Sequence, residues 1–189
     1  MARPKSVMQM EPSDEMLVER AKRGDANAFA DLVTRHYELI HRLAFRLLGS
    51  EFEADDLAQD VCAGLALKIT SFKGDARFTT WLHRVVINAG RDALRKRETR
   101  TRASESWGDV ERMRRTEDAE ARAELNWLME AMGSLNQDLR ETVALVIGED
   151  MTHAEAAQSL GISPGTVSWR MNAVKKALKK QARAEDMLR

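Results

Sequence analysis

The sequence predicts an all-α protein made of two small helical domains joined by a flexible linker, the second domain containing a helix-turn-helix. Three observations carry that expectation. Apolar residues recur at helical spacing along almost the whole chain. No run alternates polar with β-branched residues in the manner of a strand. Between Glu98 and Arg122 the pattern dissolves into charged and small residues, with little that is apolar beyond Trp107, Val110 and Met113. Such a stretch cannot bury a core of its own. The expected organisation is a tail over 1–12, a first domain over 13–98, a linker over 99–123, a second domain over 124–182 and a tail over 183–189.

Each element has a local cause. Ser13 or Asp14 can cap a short helix ending at Gly24. A second begins near Asp25, carries Phe29, Val33, Ile40, Leu43 and Leu47 as its stripe, and closes at Gly49. A third covers about Glu53 to Ile69, with Leu57, Val61 and Leu65 spaced by four. Gly74 and Asp75 mark a loop, and a fourth helix runs from about Thr79 to Arg97 with Leu82, Val86, Ala89 and Ala93 inward. Beyond the linker, helical pattern resumes with Leu125, Leu128, Met129 and Met132, and again with Leu139, Val143, Val146 and Ile147.

The stretch THAEAAQSLGISPGTVSWRMNAVKKALKK, Thr152 to Lys180, reads as two helices and a tight turn. Thr152 and Glu155 form a capping box that satisfies backbone N–H groups reciprocally. Ala154, Ala157 and Leu160 form the expected inner face of the first helix, and Gly161 suits a left-handed cap. Ser163 then caps a second helix with Pro164 at its first position. In it Val167, Met171, Val174 and Leu178 face the core, while Trp169, Asn172, Lys176 and Lys180 project oppositely. A Trp beside lysines and an Asn is the composition of a DNA-reading face; a solvated cationic helix bearing one aromatic is the plainer alternative.

Composition is neutral but sorted. There are 30 basic and 30 acidic residues among 189. Arg170 to Arg183 holds six bases and no acid, Arg91 to Arg102 six bases and two acids, and Glu51 to Asp60 five acids and no base. Different surfaces are thus expected to meet different partners. The single cysteine, Cys62, excludes an intramolecular disulfide, and no signal-peptide core or long apolar run appears, so a soluble intracellular protein is expected. His36, His41, His83 and His153 lack metal-ligand spacing, and no phosphate loop or nucleophile elbow is present, so neither an enzyme nor a metal or other cofactor is expected.

Two further faces carry chemistry. In the fourth helix Arg84, Asn88, Arg91 and Arg95 line one edge at spacings of 4, 3 and 4, and guanidiniums suit phosphate oxygens. The preceding SFKGDARFTTW, Ser71 to Trp81, interleaves aromatics with Lys73 and Arg77, which suits unstacked bases; Phe72, Phe78 and Trp81 could equally close a small core. In the third helix Asp56, Gln59, Asp60 and Ala63 share a flat acidic side suited to a basic partner.

With these blocks in this order, the chain resembles an RNA polymerase sigma factor of the extracytoplasmic-function (ECF) class of the sigma-70 family. EADDLAQDV, Glu53 to Val61, resembles the helix that grips the polymerase β′ clamp, and implies polymerase contacts at Glu53, Asp55, Asp56, Leu57, Gln59, Asp60 and Ala63. FTTWLHRVVINAGRDALRKR, Phe78 to Arg97, resembles the promoter-melting and −10 helix, and implies DNA contacts at Lys73, Arg77, Trp81, Arg84, Asn88, Arg91, Arg95 and Lys96. Leu135 through Lys180 resembles the −35-reading domain. Its helix-turn-helix over 153–172 implies contacts at Thr152, Ser163, Pro164, Thr166, Ser168, Trp169, Arg170 and Asn172, and Lys175 and Lys176 follow.

The resemblance implies strand opening rather than catalysis, in the bacterial cytoplasm and without cofactor or membrane insertion. Core RNA polymerase (β′ clamp and β subunit), promoter DNA and an anti-sigma factor are the implied partners. The chain departs from the family pattern at Cys62, Gly64 and Ala66 in the clamp helix, at Asn136 and His153, and at Trp169, where a small residue is usual. The competing expectation is a stand-alone helix-turn-helix activator or repressor that binds duplex operator DNA without polymerase; a purely structural interaction protein would bind no DNA.

Overall fold

A computed structural model describes residues 11–104 and 131–186, and every regular element in them is helical. Helix α1 (Asp14–Lys22) starts where the Ser13 hydroxyl accepts from the Met16 N–H, and it buries Leu17 and Val18. Helix α2 (Ala26–Leu48) starts at Asp25, whose carboxylate accepts from Asn27 and Ala28 N–H groups at 3.0 and 3.1 Å. Those amide bonds, with Arg20 alongside, hold the Asp25 carboxyl below its usual range. Gly49 ends α2 at φ +76, a conformation that costs a residue with a Cβ more than it costs glycine.

Helix α3 (Glu51–Lys68), capped by Ser50, runs through a 3₁₀ turn (Ile69–Ser71) into the loop before helix α4 (Phe78–Ser104). These four helices enclose Leu17, Leu32, Ile40, Leu43, Leu65, Phe78 and Leu82, all fully buried. Fully burying such a side chain is worth about 1.5–3 kcal/mol, so the acidic and basic faces outside need contribute little to the fold. Asp14 pins α1 to α2 by accepting from Arg35 at 2.8 Å and by pairing with His36 at 2.9 Å. Helix α4 continues through Ser104 instead of ending at Arg97, so the first residues of the expected 99–123 linker are helical. The remainder of that linker, with Trp107, Val110 and Met113, lies outside the described residues, as do Leu125, Leu128 and Met129.

The second unit comprises a helical segment over 131–134, helix α5 (Gln137–Val146), helix α6 (His153–Leu160) and helix α7 (Pro164–Asp186). Asn136 caps α5 through the Leu139 N–H. The Thr152–Glu155 capping box is present in both directions, Gly161 takes φ +70, and Ser163 accepts from the Thr166 N–H at 3.1 Å. One detail differs from the helical-wheel expectation. Ala154 is exposed, and Ala156 and Ala157 are the alanines that turn inward. On an eight-residue helix of small side chains, neighbouring elements decide the inner face.

The two units are docked. Helix α5 packs on α2 and α6 on α4, and one buried apolar cluster runs continuously from Leu17 through Leu82 to Leu145 and Val167. Helix α4 also buries Val85, Ile87 and Leu94 beyond the expected stripe. At the seam Gly148 lies so close to Arg46 that a Cβ there would stand 2.8 Å from its Cδ.

Candidate nucleic-acid and polymerase interfaces

Three surfaces carry the residues expected to act. The first is the outer side of α3. Asp56, Gln59, Asp60 and Ala63 are exposed there, and none of their side chains bonds to another described residue. Asp55 pairs with His41 at 2.9 Å, and Glu53 with Arg97 at 3.0 Å. Leu57, expected as a partner contact, is 6% exposed and belongs to the core, because it shares the inward stripe with Val61 and Leu65. Two residues that the sequence reading passed over complete the face. Phe52 and Leu67 are 74% and 82% exposed and bracket the acids at either end. At about 100° per residue both fall within about 40° of Asp56 and Ala63, outside the Leu57, Val61 and Leu65 stripe, which is the signal that could have found them.

The second surface is α4 with its preceding loop. Phe72, Phe78 and Trp81 form one aromatic cluster with ring centroids 5.5–5.8 Å apart, Phe72 meeting Phe78 edge to face. Phe72 and Phe78 are buried, so they close the core, while Trp81 stays half-buried. The Lys22 ammonium lies 5.5 Å from the Phe72 ring centroid, a cation–π contact that ties α1 to this loop. Lys73 and Arg77 are exposed on either side of Gly74, which takes φ +81. Along α4, Asn88, Arg95 and Lys96 are exposed.

Arg84 and Arg91 are not free. The Arg84 guanidinium donates to the Gln158 and Ser159 carbonyls in the last turn of α6, where the helix dipole favours a cation. Arg91 forms a two-pronged pair with Glu141 of α5, at 2.8 and 2.6 Å. Glu141 is 1% exposed and also accepts from Gln137. The bond from Arg91 to Glu141 raises the Arg91 pKa above its usual value, so the guanidinium stays charged. Removing one partner of a buried pair of this kind costs about 3–5 kcal/mol. The same seam holds Glu149, which Arg42 reaches at 3.0 and 2.7 Å and Arg46 also contacts. Asp150, at φ +50, turns the chain there.

Burial opposes a charge on Glu149, but His83, Arg42 and Arg46 outweigh it and bring its carboxyl down to about 2. The arginines do most of this, since His83 Nε2 stands 4.0 Å away, beyond hydrogen-bond reach. The unfolded carboxyl titrates near 4.5, so the stabilisation is complete above that value and is lost as pH falls from 4.5 towards 2. Denaturant midpoints measured against pH should show Glu149→Gln flattening this window, the native chain losing about 2–3 kcal/mol more than the variant. Parallel curves for the two would refute the assignment.

The third surface is the outer face of α7. Trp169 is 67% exposed, and Asn172, Lys175 and Lys176 are exposed with it. Thr152, Ser163 and Pro164 are exposed at the two helix starts, and Thr166 is half-buried against Ser163 at 2.9 Å. Ser168 is held by His153 at 2.9 Å and bonds back to the Pro164 carbonyl at 3.1 Å. Arg170 turns inward to Asp138 at 2.8 Å, its side chain 11% exposed, and thereby ties α7 to α5.

Comparison with known proteins places these surfaces in a family. Residues 32–100 match Sigma-70 region 2 and residues 125–178 match Sigma-70, region 4. The chain is 29% identical to the ECF RNA polymerase sigma factor SigW of Bacillus subtilis, over 92% of this chain and 99% of that protein. It is 32% identical to the ECF RNA polymerase sigma factor SigM of Mycobacterium tuberculosis, over 85% of this chain and 80% of that one. Among solved structures, CnrH in complex with the cytosolic domain of CnrY is similar at 29% identity, with a TM-score of 0.67, over 90% of this chain and 97% of that chain. The acidic face of α3 and the basic edge of α4 lie within the first matched region and the helix-turn-helix within the second, and the chain belongs to the sigma-70 family of RNA polymerase sigma factors, in its ECF class.

Proposed function

We infer that this sigma factor works through three residue sets: Asp56, Gln59 and Asp60 with Phe52 and Leu67 dock on core polymerase, Asn88, Arg95 and Lys96 with Lys73, Arg77 and Trp81 engage the opened −10 element, and Trp169, Asn172, Lys175 and Lys176 engage the −35 element. The observation that carries the reading is that most of these side chains are exposed and make no bond to another described residue, although they belong to three differently charged helices. Binding of core polymerase, direction of that polymerase to promoters and strand opening follow from the family. The −10 residues act by capturing unpaired bases and holding phosphates, and stacking is worth about 1–3 kcal/mol per base. By analogy with CnrH, which is solved with the cytosolic domain of CnrY, an anti-sigma partner completes the scheme. No helix among the described residues is long and apolar enough to cross a membrane.

The test is run-off transcription with core polymerase on candidate genomic promoters. Asn88→Ala with Lys96→Ala should lower initiation about tenfold on duplex templates and less than about twofold on templates pre-melted at −10. Equal losses on both would mean that the residues hold phosphates without capturing bases. Binding of duplex operator DNA without polymerase, and no stimulation of core, would favour a stand-alone regulator.

Trp169→Ala should change preference among −35 variants by about 1–3 kcal/mol while leaving −10 use unchanged. No change in preference would assign the indole to solvent.

A further inference from the structure

We propose, resting on the reading of α7 as the −35 helix, that this helix recognises A·T pairs with two side chains: Trp169 covers a thymine methyl and Asn172 pairs with an adenine edge. Most other polar groups at the helix-turn-helix are already committed within the chain. The Ser163 and Thr166 hydroxyls bond to each other at 2.9 Å, and Ser163 also accepts from the Thr166 N–H. Ser168 donates to the Pro164 carbonyl at 3.1 Å and is held by His153 at 2.9 Å. Thr152 is bound to Glu155 through its hydroxyl and its N–H. Arg170, the side chain best suited to guanine O6 and N7, is paired with Asp138 at 2.8 Å and is 11% exposed.

Trp169, Asn172, Lys175 and Lys176 are exposed and bond to no other described residue. Trp169 and Asn172 are the sixth and ninth residues of α7, and the lysines are the twelfth and thirteenth. The N-terminal part of a recognition helix meets base edges, so the lysines fall where the backbone phosphates pass. The indole offers one N–H donor, no acceptor and a large apolar face. It also stands clear of its own helix: a Cβ placed on Gly165, one turn back, would meet only the Ser163 hydroxyl oxygen, at 3.7 Å. In the major groove the methyl group that bases present is that of thymine, which matches such a face. An Asn amide both donates and accepts, which matches adenine N7 and N6–H together. Side chains three apart on a helix stand about 5–6 Å from each other, so the two serve one pair or adjacent pairs.

The test is run-off transcription by core polymerase carrying this chain, at subsaturating polymerase, on a genomic promoter that it uses, with the −35 pairs randomised and the −10 element kept. The templates that initiate best should share an A·T pair whose preference is lost in Trp169→Ala. Deoxyuridine in place of that thymidine removes one methyl and should lower native initiation roughly fourfold, while leaving Trp169→Ala unaffected. A C·G variant at the same pair should gain when its cytosine carries a 5-methyl group. At the adenine, 7-deazaadenine removes N7 and should cost the native chain about tenfold and Asn172→Ala nothing.

Modified bases test the native chain directly, so no variant has to fold for the answer to count. Undiminished initiation on deoxyuridine overturns the thymine assignment, as does an equal loss in Trp169→Ala. Undiminished initiation on 7-deazaadenine, or an equal loss in Asn172→Ala, overturns the adenine assignment. A preference confined to G·C pairs overturns both while leaving α7 as the −35 helix. If no −35 change alters initiation although −10 changes do, the −35 reading itself fails and takes the A·T assignment with it.

Discussion

Replacing Asp56 and Asp60 together by Arg should reduce polymerase-dependent run-off transcription by at least about a hundredfold while leaving the helical circular-dichroism spectrum and melting temperature nearly unchanged. Both carboxylates are exposed on α3 and bond to no other described residue, so the fold gives up nothing when they change. A charge that must pair across a desolvated interface is different. Loss of one partner there costs about 2–5 kcal/mol, and two reversals add repulsion to that loss. Glu15→Arg with Glu19→Arg on α1 is the control, since it alters net charge equally at exposed positions outside the docking face. A native rate for the Asp56/Asp60 variant would remove this face from polymerase binding. Phe52→Ala and Leu67→Ala should each weaken the complex further, because apolar side chains exposed to this degree contribute when an interface desolvates them.

Phe78→Ala should destabilise the protein by about 3–5 kcal/mol, a fall in melting temperature of roughly 10–15 °C for a chain of this size. Phe78 is 1% exposed and meets Phe72, Trp81 and His36 with ring centroids 5.8, 5.6 and 5.3 Å away. Its removal leaves a cavity at the junction of α1, α2 and α4 that rigid helices cannot collapse to fill. Thermal unfolding by calorimetry reads the effect directly. A drop below about 2 °C would mean that Phe78 is dispensable to the core and free to meet bases. Trp169→Ala is the informative comparison, because the same class of side chain stands 67% exposed and its loss should move the melting temperature little.

Local chemistry made much of this protein legible in the sequence. The helix-turn-helix is bounded by contacts three residues apart, Thr152 to Glu155 and Ser163 to Thr166, and by Gly161 at positive φ, and each is decided within one turn of chain. The same holds for the Ser13 and Asp25 caps and for the Leu57, Val61 and Leu65 stripe. Amphipathic pattern likewise exposed Asp56, Gln59 and Asp60 on α3, because one inward stripe fixes what lies opposite it.

What the sequence could not show is where side chains go when the two helical units meet. Arg84 and Arg91 read as members of one exposed basic edge, and along α4 they are. Their partners, Glu141 and the Gln158 and Ser159 carbonyls, lie 50 to 75 positions away, and no local period announces such a pairing. Arg170 is a similar case, expected among the DNA contacts but paired with Asp138 of α5. Aromatic spacing did not decide whether Phe72 and Phe78 are core or base platform, since a helix start suits either; burial against α1 and α2 decides it. Helix boundaries and faces follow from free energies that act over three or four residues, and those the chain determined by itself. The occupation of its DNA-facing arginines depends on docking between distant segments, so tertiary structure alone decided which cations are free.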